Sequence, residues 1–286
     1  MKIAVTSASG QLGSTIVKNL IKEIGKENVV AIARTPQKAK HLGVKVRKGD
    51  YNNREQFNEA LKGIDKVLLV SGMDEPKKRI QQHRNVIDAA KHNGVQKIVY
   101  TSIIGDEEKT AFRSIVKSNR QTEKDIQASG LDWVIGRNGI YIEPDLEYLE
   151  TYIKEGEIRN CAADGKCAYT SREELGHAYT QMLLKDHLNN NRFNLAGESI
   201  TQSDLAELIN KVFQTNLKYN PVSVEAYAAE RKVELGDFMG TIIAGIYEGI
   251  KIGVNDVSSD FEKVAQRPHQ SSIEMIESYR NQHNKI

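Results

Sequence analysis

The stretch Lys2-Ile-Ala-Val-Thr-Ser-Ala-Ser-Gly-Gln-Leu-Gly13 joins a short apolar run to a glycine turn and then to an amphipathic segment. Ile3, Ala4 and Val5 read as a buried parallel strand. From Gln11 onward Leu12, Ile16, Val17, Leu20 and Ile24 recur at helical spacing, so the turn feeds a helix N-terminus. The free N–H groups and dipole of such a terminus suit a pyrophosphate. Gly10 lets the backbone approach the phosphates, and Gly13 lets the helix pack close to the strand. A three-glycine turn would also have glycine at position 7. Ser7 stands there and pays a penalty for any positive φ.

The next apolar run, Val29-Val-Ala-Ile-Ala33, reads as a second strand and ends at Arg34. An acidic residue at that point would hold the ribose 2′-hydroxyl of NAD, whereas an arginine accommodates the 2′-phosphate of NADP. Lys38 adds a second cation if Pro36 opens a helix. The plain alternative for both cations is a solvated basic surface. With the glycine turn they favour NADP.

Strand-like and helical runs then alternate. Val44 and Val46 lead to Gly49-Asp-Tyr51, and Phe57 and Leu61 mark a short helix. Val67-Leu-Leu-Val70 ends at Ser71-Gly72, helix 79–93 follows, Ile98-Val-Tyr-Thr101 ends at Ser102, and helix 115–129 precedes Leu131-Asp-Trp-Val-Ile135. This rhythm predicts a doubly wound parallel α/β sheet whose ligand lies outside the carboxyl ends of the strands. Those ends are Thr6, Arg34, Asp50, Ser71, Thr101 and Arg137. Beyond Arg137 the rhythm changes, and helices near 202–213, 224–235 and 242–252 predict a smaller, mostly helical lobe. The expected division is 1–137 for the NADP-binding domain and 138–286 for a substrate lobe. A strand-like fragment near 193–196 could return to the main sheet. The apolar run 242–252 fits either a core or a pocket wall.

Composition narrows the partners. The 286 residues carry 40 basic and 38 acidic side chains without a long basic block, so no nucleic-acid partner is expected. No run approaches the roughly 18 apolar residues that span a bilayer, and the first strand begins without a signal-like segment, so a cytoplasmic protein without membrane contact is expected. Cys161 and Cys167 match no zinc or redox spacing and read as free thiols, and no metal site is expected.

Together these segments carry a family resemblance. Val5-Thr-Ser-Ala-Ser-Gly-Gln-Leu-Gly13 resembles the glycine signature of the NmrA-like, atypical short-chain dehydrogenase/reductase group. Residues 31–39, Gly49-Asp-Tyr51, residues 82–90, Gly94-Val, Tyr100-Thr-Ser102, Thr122-Glu-Lys124, Arg137-Asn-Gly-Ile-Tyr141 and Tyr219-Asn-Pro-Val-Ser223 look like segments of its quinone oxidoreductase and triphenylmethane reductase branch, in the same order. The resemblance implies a Rossmann-type NADP(H) domain. Gly10, Gln11, Leu12 and Gly13 would hold the pyrophosphate, with Thr6 and Ser9 beside them. Arg34 and Lys38 would hold the 2′-phosphate, and Asp50 with Tyr51 the adenine edge. Ser71, Gly72, Thr101 and Ser102 would line the ribose–nicotinamide end, and Asn138 and Tyr141 would face the substrate. Ser7 and Ser9 depart from the family's Gly and Thr.

Many short-chain dehydrogenases and similar epimerases use a Tyr and a Lys four residues apart on the helix after the fifth strand, where they trade a proton with a hydroxyl. Registered on Glu123, this chain has Ile115 and Asn119 there. A quinone needs less help, since hydride moves directly from the nicotinamide to an electron-poor ring. The expected function is therefore NADPH-dependent reduction of a quinone-like, azo or dye acceptor. Asn138 is the candidate donor to its oxygen, and Tyr141 the stacking or donating partner. The bland alternative has Asn138 capping the loop and Tyr141 packed between lobes. At the level of function, the alternatives are a non-catalytic NADP-binding redox sensor that regulates a partner protein and, less favoured, an epimerase or other metabolite dehydrogenase. Neither the acceptor nor the oligomeric state follows from the sequence.

Overall fold

A computed structural model describes residues 1–283. Strand β1 (Ile3–Val5) leads through the glycine turn to α1 (Gln11–Ile24), β2 (Val29–Ala33) to a 3-10 turn at Pro36–Leu42, and β3 (Lys45–Lys48) to α2 (Arg54–Ala60). There follow β4 (Lys66–Leu69), α3 (Pro76–His92), β5 (Lys97–Ile103), α4 (Arg113–Gln127) and β6 (Asp132–Asn138). Past β6 come β7 (Ile140–Tyr141), α5 (Glu143–Glu147), α6 (Leu149–Glu155), β8 (Glu157–Asn160) and β9 (Cys167–Thr170). The chain goes on through α7 (Arg172–Leu184), β10 (Asn191–Leu195), β11 (Ser199–Ile200), α8 (Gln202–Phe213) and β12 (Lys218–Pro221). It closes with α9 (Val224–Leu235), α10 (Asp237–Lys251), α11 (Phe261–Ala265) and α12 (Ser272–Gln282).

The main sheet has the order β3-β2-β1-β4-β5-β6-β10 with every neighbouring pair parallel. It is the expected Rossmann-type sheet, and its strand order reverses between β1 and β4, where such sheets open a ligand crevice. Both faces are covered, which is why β1 and β2 are apolar throughout and fully buried. On one face α1 and α7 pack with Val5, Ala31 and Leu68; on the other Phe57, Val86 and Ile126 pack with Ala4, Val67 and Ile98. A Cβ added at Gly176 of α7 would come within 2.6 Å of the Thr15 Cγ2, so that glycine lets α7 lie close against α1.

Helix α3 begins one turn earlier than expected, because Pro76 fits the first helical position. The strand-like fragment near 193–196 is the end of β10, which lies beside β6, and α7, β10 and α11 share the core of β1 and α1. Sequence reading missed five strands beyond β6. Three build a small sheet in the order β11-β9-β7, and β12 pairs with β8. At two to four residues each they are too short to show a period of two. Their lobe has its own core, with Leu149, Tyr152, Ile158 and Ile209 among its members. Among the described residues no helix is long and apolar enough to cross a membrane. Both cysteines are free and buried.

Candidate functional site

At the switch point Ser7 has φ +48°, the left-handed conformation that the missing glycine would have taken without cost. Its hydroxyl compensates by donating to the Tyr51 Oη at 3.0 Å. The Tyr51 hydroxyl donates to the Val70 carbonyl at 2.6 Å and lies 2.6 Å from the Thr6 Oγ1, which accepts from the Val70 N–H at 2.9 Å. A closed ring of hydrogen bonds thus ties the end of β1 to the end of β4. Burial pushes the Tyr51 phenol up to about 12, so it stays a donor at any physiological pH. Thr6 and Tyr51 are therefore engaged in holding the turn, and the Tyr51 ring stacks on Phe57 at 5.5 Å.

The turn itself fits a pyrophosphate. A Cβ at Gly13 would lie 2.5 Å from the Ser7 carbonyl oxygen, so only glycine allows this approach of α1 to the turn. Gly10 is the N-cap of α1, no side chain caps the helix, and no acidic residue stands in its first turn. The N–H groups of Gln11, Leu12 and Gly13 are left for an anion. Ser9 is exposed in the same turn. Arg34, directly after β2, and Lys38, in the 3-10 turn, are exposed and form no ion pair among the described residues. Asp50 closes a local turn by accepting from Asn52 N–H at 2.9 Å.

The ends of β4 and β5 are knit together more tightly. The Ser71 N–H donates to the Thr101 Oγ1 at 2.8 Å, and the Gly72 N–H donates to the His83 Nε2 at 3.1 Å. His83 gives its other ring proton to Thr122, and burial, then the charge of Arg79, drives its pKa down to about 3. It is a neutral acceptor that holds the Gly72 backbone. The buried Arg79 donates to the Ser71 Oγ and to the Asn119 Oδ1, both at 2.7 Å, and no carboxylate among the described residues pairs with it. Asn119 also accepts from the Tyr100 hydroxyl at 2.6 Å. Arg79 and His83 escaped the sequence reading because each lies within an ordinary helical pattern, and Asn119 stands out there only as a residue in the place of the missing Tyr/Lys pair; the clue was their polarity on faces that must be buried.

Ser102 points elsewhere. It donates to the Glu123 Oε1 at 2.6 Å, in a buried cluster where Glu123 also pairs with Arg120 at 2.8 Å and Arg137 at 2.6 Å. Asn138 is 4% exposed, and its amide is already engaged: Oδ1 accepts from the Tyr179 hydroxyl at 2.5 Å and Nδ2 donates to the Tyr141 Oη at 2.9 Å. The Tyr141 proton stays free to donate, and burial pushes that phenol up to about 12. Asn138 therefore orients Tyr141, and Tyr141 lines a cavity of about 980 Å³.

That cavity opens between the strand ends and the second lobe. Tyr148, Tyr152, Tyr227 and Tyr247 line it, with Met73 from the loop after β4. The apolar run expected at 242–252 serves both purposes, because Ile243 and Ile246 face the cavity while Ala244 and Ile250 are buried. Arg231 of α9 lies 5.5 Å from the Tyr148 ring centre and 5.4 Å from that of Tyr227, a cation–π arrangement.

The uncapped glycine turn, the basic residues after β2 and the aromatic cavity beyond the switch point have the charge and shape that a nicotinamide dinucleotide requires. Residues 7–186 match the NAD(P)H-binding family model. The chain belongs to that NAD(P)H-binding family. It is 33% identical to quinone oxidoreductase 2 of Escherichia coli over 99% of this chain and 100% of that one. A solved triphenylmethane reductase of Citrobacter sp., complexed with NADP(H), superposes with a TM-score of 0.89 at 29% identity, covering 97% of this chain and 99% of that one. A Staphylococcus aureus structure described as a nucleoside-diphosphate-sugar epimerase reaches a TM-score of 0.88 at 25% identity, covering 97% and 100%. The chain is an NmrA-like oxidoreductase that binds NAD(P)H.

Proposed function

We propose that this chain is a cytosolic NADPH-dependent reductase of quinone-like or dye acceptors, and that it works without a Tyr/Lys pair. The observation that carries this reading is the tyrosine-lined cavity beside the strand ends, sized for a flat aromatic molecule. On α4, Ile115 is apolar, and the Asn119 carbonyl oxygen is spent on Tyr100, Arg79 and Ser71, so neither moves a proton. An alcohol or a sugar ring would need that proton transfer, typically worth about 10² to 10⁴ in rate, and a quinone needs it far less.

In this reading Gly10, Gln11, Leu12 and Gly13, with Ser9, bind the pyrophosphate, and Thr6 with Tyr51 holds their turn in shape. Arg34 and Lys38 bind the 2′-phosphate, and Asp50 borders the adenine. Ser71, Gly72 and Thr101 present the backbone that seats the nicotinamide ribose, with Ser102 bracing β5 behind them. NADPH supplies the hydride when bound. Tyr141, aimed by Asn138, donates a hydrogen bond to the acceptor oxygen as negative charge develops there. Residues 1–137, completed by α7 and β10, carry the cofactor, and the rest of 138–286 forms the acceptor lobe.

The test is NADPH oxidation by the purified chain against naphthoquinones, azo dyes, triarylmethane dyes and sugar nucleotides. Turnover confined to the aromatic acceptors supports the reading. Turnover on a sugar nucleotide alone would overturn it. Tight NADP(H) binding with no turnover on any acceptor would favour a redox sensor instead.

A further inference from the structure

Arg79 of α3 is 3% exposed and has no carboxylate beside it among the described residues. One terminal nitrogen, Nη2, is spent twice, on the Ser71 Oγ and on the Asn119 Oδ1, both at 2.7 Å. The other two nitrogens are not spent. Nε is buried without a partner, and Nη1 makes no hydrogen bond among the described residues. An arginine keeps its charge even when buried, and a buried charge without a counter-ion is costly. Open donors on such a cation call for a partner from outside the chain.

Its place in the fold says which partner. Ser71 follows β4, and its N–H donates to the Thr101 Oγ1 of β5, so the guanidinium sits at the carboxyl ends of the strands, where sheets of this kind bind their ligand. Registered on Glu123, Asn119 stands where short-chain dehydrogenases carry the lysine of their Tyr/Lys pair. Its Oδ1 accepts from Tyr100 at 2.6 Å and from Ser71 at 3.1 Å as well as from Arg79. Asn119 is no cation, but it anchors one. The charge missing from α4 is returned to the same spot from α3. Nearby charged and titratable groups offer no counterweight: His83 is neutral, and Glu123 is already paired with Arg120 and Arg137.

We propose that Arg79 is the cation of the nicotinamide end, giving Nη1 to the nicotinamide ribose and selecting the reduced cofactor over the oxidised one. This rests on the reading of Ser71, Gly72 and Thr101 as the seat of that ribose. The nicotinamide ring is neutral in NADPH and positively charged in NADP⁺, whereas the phosphates are the same in both. The hydride carries its electron pair to the acceptor, and the ring left behind is repelled by Arg79. Two unit charges about 12 Å apart at an effective dielectric of about 20 change an affinity roughly ten-fold, and a closer approach changes it more. The site thus takes up the hydride donor and sheds the spent cofactor.

Equilibrium titration of the full chain with NADPH and with NADP⁺, in the absence of any acceptor, tests this, and thermal melting checks that each variant is folded. Wild type should hold NADPH more tightly than NADP⁺ by roughly ten-fold or more. Asn119→Asp is the decisive variant. It gives up the Nδ2 bond to the Ile115 carbonyl, but keeps an oxygen where Arg79, Tyr100 and Ser71 donate and supplies the missing counter-charge. The fold should hold while the NADPH preference falls roughly ten-fold. Arg79→Gln should lose the preference by the same factor, Arg79→Lys should keep it, and Arg34→Ala should weaken both forms alike and leave the ratio in place. If Arg79→Gln does not fold, Asn119→Asp decides alone. A preference unchanged in Asn119→Asp, or a wild type that binds both forms equally, overturns the proposal. So does a loss of both forms by one factor in the Arg79 variants, which would put the guanidinium elsewhere on the cofactor. A wild type that binds neither form refutes the cofactor site itself, whereas the reductase reading is decided separately, by turnover.

Discussion

Replacing Tyr51 by Phe removes one oxygen from the centre of the switch point and leaves the ring on Phe57 in place. Three groups lose a partner. The Val70 carbonyl loses its donor, the Thr6 hydroxyl loses its acceptor, and the Ser7 hydroxyl, half-exposed, turns to water. A buried polar group left without a partner costs about 1–3 kcal/mol, so the two inner groups together cost roughly 2–6 kcal/mol. At roughly 2–4 °C per kcal/mol in a chain of this size, the melting temperature should fall by about 4 to 24 °C. The turn also loses what holds Ser7 at positive φ, a conformation that costs about 1–2 kcal/mol in a residue with a Cβ. NADPH affinity should therefore fall about ten-fold, since 1.4 kcal/mol is one decade. Urea unfolding and NADPH titration of the same preparation read the two effects separately. Ser7→Gly is the counter-test, because it relieves the strain while giving up one hydrogen bond and should be close to neutral. A Tyr51→Phe protein as stable as wild type, with unchanged NADPH affinity, would refute the reasoning.

Arg34→Ala should weaken NADPH binding about ten- to a hundred-fold, the range for a hydrogen bond to a charged group, and leave NADH unaffected; parallel titrations decide it. Glu123→Gln strands Arg120 and Arg137 and should cost about 3–5 kcal/mol in denaturant unfolding. Burial by itself would raise the Glu123 carboxyl, but the hydrogen bond from Arg137 and the charge of Arg120 bring it below its ordinary value. The folded pKa is thus below the unfolded one. The cluster's stability is present at neutral pH and drains away as pH falls through the carboxylate range, a slope that Glu123→Gln should flatten. Tyr141→Phe and Asn138→Ala should slow quinone reduction by about 10² to 10³ while NADPH affinity stays within two-fold, because the first removes the donor and the second its aim.

The doubly wound sheet was legible because its signals are local and repetitive. Apolar runs of four or five residues, separated by helical spacing and glycine stops, dictate strand, crossover and strand whatever else the chain does. The glycine turn was equally legible, down to the strain at Ser7, since a missing glycine is visible in one residue. What compensates that strain was not legible: Tyr51 lies 44 residues away, and only packing brings its hydroxyl under the turn. Asn138 read as a donor to the acceptor, whereas its Nδ2 is spent on the Tyr141 Oη and its amide is held in that orientation by Tyr179, 41 residues on, which donates to its oxygen. Asp145 is the clearest case. In the sequence it is one acid in Glu143-Pro-Asp-Leu-Glu147, indistinguishable from a solvated helix start. Packing alone buries it in the cavity wall under the hydroxyls of Tyr152, Tyr169 and Tyr247, drawn from three separate elements. Short-range pattern determines which elements form and where their ends lie; the charge state and reach of a side chain depend on neighbours distant in sequence, and those only the tertiary structure decides.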